Sequence, residues 1–192
     1  MRGLIPLVLF GLLIAAFAAG LSKDPSALPS EMIDRRAPEF TLPSLYEDTP
    51  DISDDIFTGN ITLLNIFGSW CTACVAEHPL LMSLAERSDI QLIGVDWRDS
   101  RASGQAWLKK HGNPYSEVIF DEGSLLAIDL GITGAPETFL IDQQGRIRYK
   151  HVGVMTPAVW RKGFTPRILL LLQDYTPKPR AQAAAPLREG DE

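Results

Sequence analysis

Cysteine is nearly absent from this chain. Its 192 residues hold two, Cys71 and Cys74, and the three histidines, His78, His111 and His151, are scattered. That scarcity excludes a scaffold stapled by several disulfides. It also speaks against zinc, because a structural site takes four ligands and no second Cys pair stands near the first. Positive charge is the minority: 18 Lys and Arg against 24 Asp and Glu, a net charge of −6. Such a balance excludes a general nucleic-acid binder and a basic membrane-surface patch. No internal repeat is visible. One segment, 3–21, runs without charge for about the length of a bilayer-spanning helix.

The two cysteines sit together. Trp70-Cys71-Thr72-Ala73-Cys74 follows an apolar run, 61–67, that reads as a buried strand, and precedes 75–87, which reads as a helix. A Cys-x-x-Cys at a strand-to-helix junction points to a redox-active dithiol/disulfide centre. At a helix N-terminus the dipole and the free N–H groups favour the thiolate of the first cysteine. The second lies one turn later, close enough to close a disulfide. A purely structural disulfide over so short a loop would stabilise little, because the gain grows with loop length.

Positions 74, 77, 78, 81, 84 and 85 fall on one face of the helix. Leu81, Leu84 and Ala85 belong in a core, so Cys74 and Glu77 are expected to point inward and Cys71 to stand at the exposed mouth. An accessible thiolate attacks and a sheltered thiol resolves. A half-buried Glu77 would carry a raised pKa and could take the proton of Cys74. The bland alternative is a solvated helix glutamate. Pro79 is expected to kink the helix.

The apolar segment at the start reads as an uncleaved membrane anchor. Ala16-Phe17-Ala18 keeps open a cleaved signal peptide. Either reading exports the rest of the chain. Residues 1–22 are thus anchor or signal, 23–36 a Pro-containing linker, 37–175 one domain, and 176–192 a disordered tail. Within the domain, 38–42 reads as extended, 48–55 as an acidic turn region, and 91–96 as a second strand. A helix at 102–111 ends at Gly112 and Pro114. A short strand at 118–121, a short helix at 124–130 and a hairpin of 138–142 with 146–150 follow, and a last helix lies within 157–174. This order predicts an α/β fold: a sheet with parallel and antiparallel parts, covered by helices on both faces.

With these residues assembled, the chain resembles the thioredoxin superfamily, and within it the membrane-anchored DsbE/CcmG thiol:disulfide interchange proteins of cytochrome c maturation. Four stretches carry the likeness. They are Ala37-Pro38-Glu39-Phe40-Thr41-Leu42-Pro43, the Trp70–Cys74 motif with Ala76-Glu77-His78-Pro79, Gly112-Asn113-Pro114-Tyr115, and Gly131-Ile132-Thr133-Gly134-Ala135-Pro136-Glu137-Thr138-Phe139-Leu140-Ile141-Asp142. The resemblance spans roughly 37–172 and implies a thioredoxin-like fold. It implies that Cys71 is the nucleophile and Cys74 the resolving thiol, with Glu77 beneath the site. Pro136 would be the cis-proline facing the disulfide, and Trp70, Ala135, Pro136 and Glu137 would border the substrate. Glu137 could form an acidic rim or cap a neighbouring loop; Trp70 could shape the docking surface or simply pack. Two departures stand out. Thr72-Ala73 lies where relatives commonly carry a proline between the cysteines, and Asn65 stands where ordinary thioredoxins have a buried aspartate.

The resemblance further implies a periplasm-facing, single-pass protein of the inner membrane. It would reduce the Cys-x-x-Cys-His disulfide of apocytochrome c before haem attachment. Its electrons would come from a membrane thiol transporter of the DsbD or CcdA type. No metal or organic cofactor is implied beyond the redox-active pair. The rivals are an extracytoplasmic reductase or oxidase for other substrates, and a non-enzymatic module that binds apocytochrome or another maturation protein.

Overall fold

The computed structural model describes residues 9–14, 17 and 32–173. The linker and the tail fall largely or wholly outside these residues, as does most of the apolar N-terminal segment; 9–14 and 17 of that segment are helical. No helix among the described residues is long and apolar enough to cross a membrane.

The sheet has five strands in the order β5-β4-β3-β6-β7. β3 (Thr62–Phe67), β4 (Gln91–Trp97) and β5 (Glu117–Asp121) run parallel, while β6 (Glu137–Ile141) pairs antiparallel with β3 and β7 (Ile147–Val152) antiparallel with β6. Every residue of β3 is buried, as expected for a central strand covered on both faces. β1 (Thr41–Leu42) and β2 (Ile52–Ser53) pair into a small hairpin, and a 3₁₀ turn, Asp54–Phe57, follows. The acidic stretch expected as a plain turn therefore contains β2. Two residues are too few to show a period, and Ile52 counts only once it meets Leu42.

One sheet face carries Leu63, Phe67, Leu92 and Leu140. It packs against α1 (Thr72–Ala85) through Leu81 and Leu84, and against α2 (Arg101–His111) through Trp107 and Leu108. The C-terminal helical stretch adds Phe164 and Ile168 to this face. It consists of α4 (Pro157–Val159), a π turn (Trp160–Phe164) and α5 (Thr165–Leu172). The other face carries Leu64, Ile66, Ile93, Val95 and Phe139 and packs against α3 (Leu125–Asp129) and the β1–β2 hairpin. Helices thus cover both faces, as the order of elements predicts.

Local signals set the helix ends. Ser100 caps α2 by accepting from Ser103 N–H, Lys109, Lys110 and His111 sit in its last turn, and Gly112 ends it. α1 begins at Thr72, three residues earlier than expected, because Cys71 itself takes the N-cap position. The helix continues through Pro79 to Ala85.

The register decides where chemistry can collect. Phe67 at the end of β3 lies beside Asp96 near the end of β4, and Ile66 lies beside Glu137 at the start of β6. The Cys-bearing turn, the β4–α2 loop and the loop before β6 therefore meet at one edge of the sheet, at the carboxyl ends of its parallel strands.

Candidate active site

The turn from β3 into α1 closes when Cys71 N–H donates to the Gly68 carbonyl at 3.0 Å. Two groups of the β4–α2 loop hold it from outside. Asp99 Oδ2 accepts from Ser69 N–H at 2.5 Å, and the Trp97 carbonyl accepts from Trp70 Nε1 at 3.1 Å. The two indoles meet edge to face, 5.7 Å apart, yet Trp70 remains 49% exposed. Trp70 therefore packs on one side and is open on the other.

Cys71 and Cys74 are joined by a disulfide. As the N-cap residue, Cys71 turns its Sγ toward the helix, where it accepts from Cys74 N–H at 3.1 Å. In the reduced state the same helix N-terminus favours a thiolate at Cys71. The expectation that Cys71 stands exposed needs correction: it is 4% exposed and Cys74 2%. The disulfide draws the sulfur onto the first helical turn, and Ala135 packs against the cluster that contains both cysteines. Trp70, Thr72 and Ala73 form the exposed mouth instead.

Beneath the pair, Cys74, Glu77, His78, Leu81 and Leu84 form the buried stripe of α1. Glu77 is 1% exposed. Its Oε1 accepts from Asn65 Nδ2 at 2.8 Å and its Oε2 from Met155 N–H at 2.7 Å. Burial pushes the Glu77 carboxyl up, and these two hydrogen bonds offset part of that rise. Asn65 also donates to Thr138 Oγ1 at 3.0 Å and accepts from Tyr115 O–H at 2.7 Å. β3, β6, α1 and the loop before β5 are thereby tied into one buried polar network. Gly94 makes room for it, since a Cβ there would lie 2.8 Å from the Tyr115 ring. Asn65 stands out in the sequence as the residue in place of a buried aspartate, whereas nothing local marks Tyr115 as its partner.

The Ala135–Pro136 peptide bond is cis. The Pro136 carbonyl accepts from Gly153 N–H at 2.9 Å. Glu137 does not form an acidic rim. It is fully buried, its Oε1 accepts from Thr133 N–H, Thr133 O–H and Gly134 N–H, and its Oε2 pairs with Lys150 Nζ at 2.8 Å. It caps the loop that carries Ala135 and Pro136, the other role open to it. The physical reason is that β6 turns Glu137 toward a cation on its hairpin partner. His78 is structural in its surroundings: Nε2 meets the Gly112 carbonyl at 3.0 Å and burial lowers its pKa. Among the described residues no cluster of three or more His, Cys, Asp or Glu is placed to hold a metal.

Asp96 lies near the end of β4, as expected, but it is fully buried. The sequence hint to this burial is an acid in the otherwise apolar run Leu92-Ile93-Gly94-Val95-Asp96-Trp97.

Residues 33–162 match the family model named Redoxin. The chain belongs to this family. Among similar proteins, the thiol:disulfide interchange protein DsbE of Allochromatium vinosum is 40% identical over 165 residues, covering 86% of this chain and 91% of the relative. DsbE of Escherichia coli K12 is 40% identical over 169 residues, covering 85% and 91%. Among solved structures, a DsbE-type protein from Chlorobium tepidum aligns with a TM-score of 0.57 at 25% identity, covering 70% of this chain and 93% of that one. Within the Redoxin family the chain is thus DsbE-like. It is a thiol:disulfide oxidoreductase, and Cys71–Cys74 is its redox disulfide.

Proposed function

We propose that this chain works outside the cytoplasm as a membrane-anchored reductant, and that its substrate is the Cys-x-x-Cys-His disulfide of apocytochrome c. The observation that carries the reading is the placement of Cys71 as the N-cap of α1 above Cys74 and buried Glu77. In the reduced protein, Cys71 thiolate attacks one substrate sulfur, and a mixed disulfide forms as the other substrate sulfur leaves as a thiolate and takes up a proton. Cys74 then loses its proton to Glu77, whose raised pKa suits a base at neutral pH. The Cys74 thiolate attacks Cys71 Sγ, releasing the second substrate thiol and forming the Cys71–Cys74 disulfide. Two electrons have passed to the substrate. A membrane thiol transporter of the DsbD or CcdA type returns them. Trp70 and the loop at Ala135 and Pro136, held from beneath by Glu137, border the place where the substrate sulfur arrives.

The test uses Cys74→Ser, which leaves Cys71 unable to resolve. Incubated with an oxidised Cys-x-x-Cys-His peptide, it is expected to accumulate a mixed disulfide in preference to a Cys-x-x-Cys peptide without the histidine. Equal capture of both would remove apocytochrome c as the dedicated substrate. A reduction potential near that of strong oxidants of this chemistry, about −120 mV, would reverse the direction of exchange. Recovery of a mature protein starting near Ala19 or Gly20 would show that the apolar segment is a signal and not an anchor.

A further inference from the structure

Asp96 is a buried acid that no step of the exchange uses. Its side chain lies on the same sheet face as Asn65 and Phe67 and rests on the backbone of α2, where a Cβ on Gly104 would come within 2.0 Å of Oδ2. Neither carboxyl oxygen has a hydrogen-bond donor among the described groups. Its carboxyl is in hydrogen-bonding contact with Asp99. Burial, and then the neighbouring Asp99, hold the proton on Asp96 up to about pH 8. Asp99 Oδ2 accepts from Ser69 N–H and Oδ1 from Ser100 N–H. Asp99 thus accepts from two backbone N–H groups, while Asp96 accepts from none. Asp96 is the acid and Asp99 the acceptor.

This arrangement reaches the reacting sulfur in three residues. Asp99 grips Ser69, and Ser69 is followed by Trp70 and Cys71. We propose that Asp96 is a positioning residue: by lending its proton to Asp99 it keeps that carboxylate on Ser69 N–H, and loss of the proton releases the active-site turn. Asp96 is held in a central strand against Gly104, whereas Asp99 lies half-buried in a loop. When both carry charge, repulsion displaces Asp99, and Ser69 loses its acceptor. The inference does not depend on the identity of the substrate.

Other charged groups face the pair. Arg101 in the first turn of α2 favours ionised Asp96. Tyr115 lies on the same sheet face, and burial together with Glu77 and Asp96 holds its hydroxyl protonated well above its ordinary range. Glu77 has its own reporter, the Met155 N–H that it accepts. Asp121 lies beside Trp97 on β5, where Leu125 and Ala127 N–H groups hold its carboxylate.

The oxidised full-length protein isolates the effect, because its disulfide has no thiol to titrate. ¹H–¹⁵N spectra recorded from pH 6 to 10 are expected to show the Ser69 amide shifting through one inflection near pH 8, the value to which burial and Asp99 push Asp96. The Trp70 indole N–H is expected to follow. Asp96→Asn keeps a donor facing Asp99 and cannot titrate, so the inflection should vanish while the Ser69 amide stays at its neutral-pH position. Asp99→Asn should move that amide at every pH. An unchanging Ser69 amide in the parent protein would overturn the proposal. So would an inflection that survives Asp96→Asn, or a Ser69 response unaffected by Asp99→Asn.

Discussion

Replacing Asp96 by asparagine should stabilise the oxidised protein, and the gain should grow with pH. In the unfolded chain an aspartate ionises around its ordinary value of 3.8; in the folded protein burial, then Asp99, push Asp96 up to about 8. Below pH 3.8 both states hold the proton, and the acid and the amide differ little. As pH rises toward 8 the unfolded state releases its proton and the folded state keeps it, so folding becomes progressively less favourable. Stability tied to this group is full below the unfolded value and is lost as pH rises through the folded one. Each pH unit in that window corresponds to about 1.36 kcal/mol. From 3.8 to 7 is about three units, which sets a ceiling near 4 kcal/mol at pH 7. Local relaxation and water entry reduce it, so a gain of roughly 2 to 4 kcal/mol is expected for Asp96→Asn at pH 7. The amide fills the same space against Gly104 and can still donate to Asp99. Urea unfolding of both proteins at pH 4, 6 and 8 measures this through the midpoint at constant slope. A difference that does not vary with pH would refute the reasoning, as would an asparagine variant that is the less stable protein at pH 8.

Three further outcomes are expected. Tyr115→Phe removes the donor to Asn65 Oδ1 and strands a buried acceptor, which should cost about 1–3 kcal/mol in urea unfolding; a loss within error would mean that the network does not depend on this bond. Glu77 should titrate above the ordinary glutamate range in the oxidised protein, since burial is the largest influence on it; an ordinary value by carboxyl NMR would count against it as the base. In the reduced protein, limiting alkylation at pH 6 should label Cys71 ahead of Cys74, because Cys71 caps the helix while Cys74 lies on its buried stripe. Preferential labelling of Cys74 would reverse the assignment of attacking and resolving thiols.

Much of this molecule follows from short stretches of sequence. The apolar runs of β3 and β4, the hairpin around Gln143-Gln144-Gly145 and the helix after the cysteines each carry a local period that names the element. Helical spacing from Cys74 to Leu84 was enough to turn Glu77 inward, because a single helix settles which residues share a face. The chemistry of the Cys71–Cys74 pair was legible for the same reason: both thiols and the helix terminus that tunes them lie within five residues. Partners were not legible. Asn65 meets residues 12, 50 and 73 positions away, and Glu77 meets Met155 at 78. Glu137 reads as a loop acid until β7 brings Lys150 beside it. Asp96 reads as a strand end until Asp99 folds back on it and Gly104 closes over it. Whether a polar side chain becomes a surface group, a cap or a proton store depends on what the register of distant strands sets against it. Local periodicity decides only which way that side chain points.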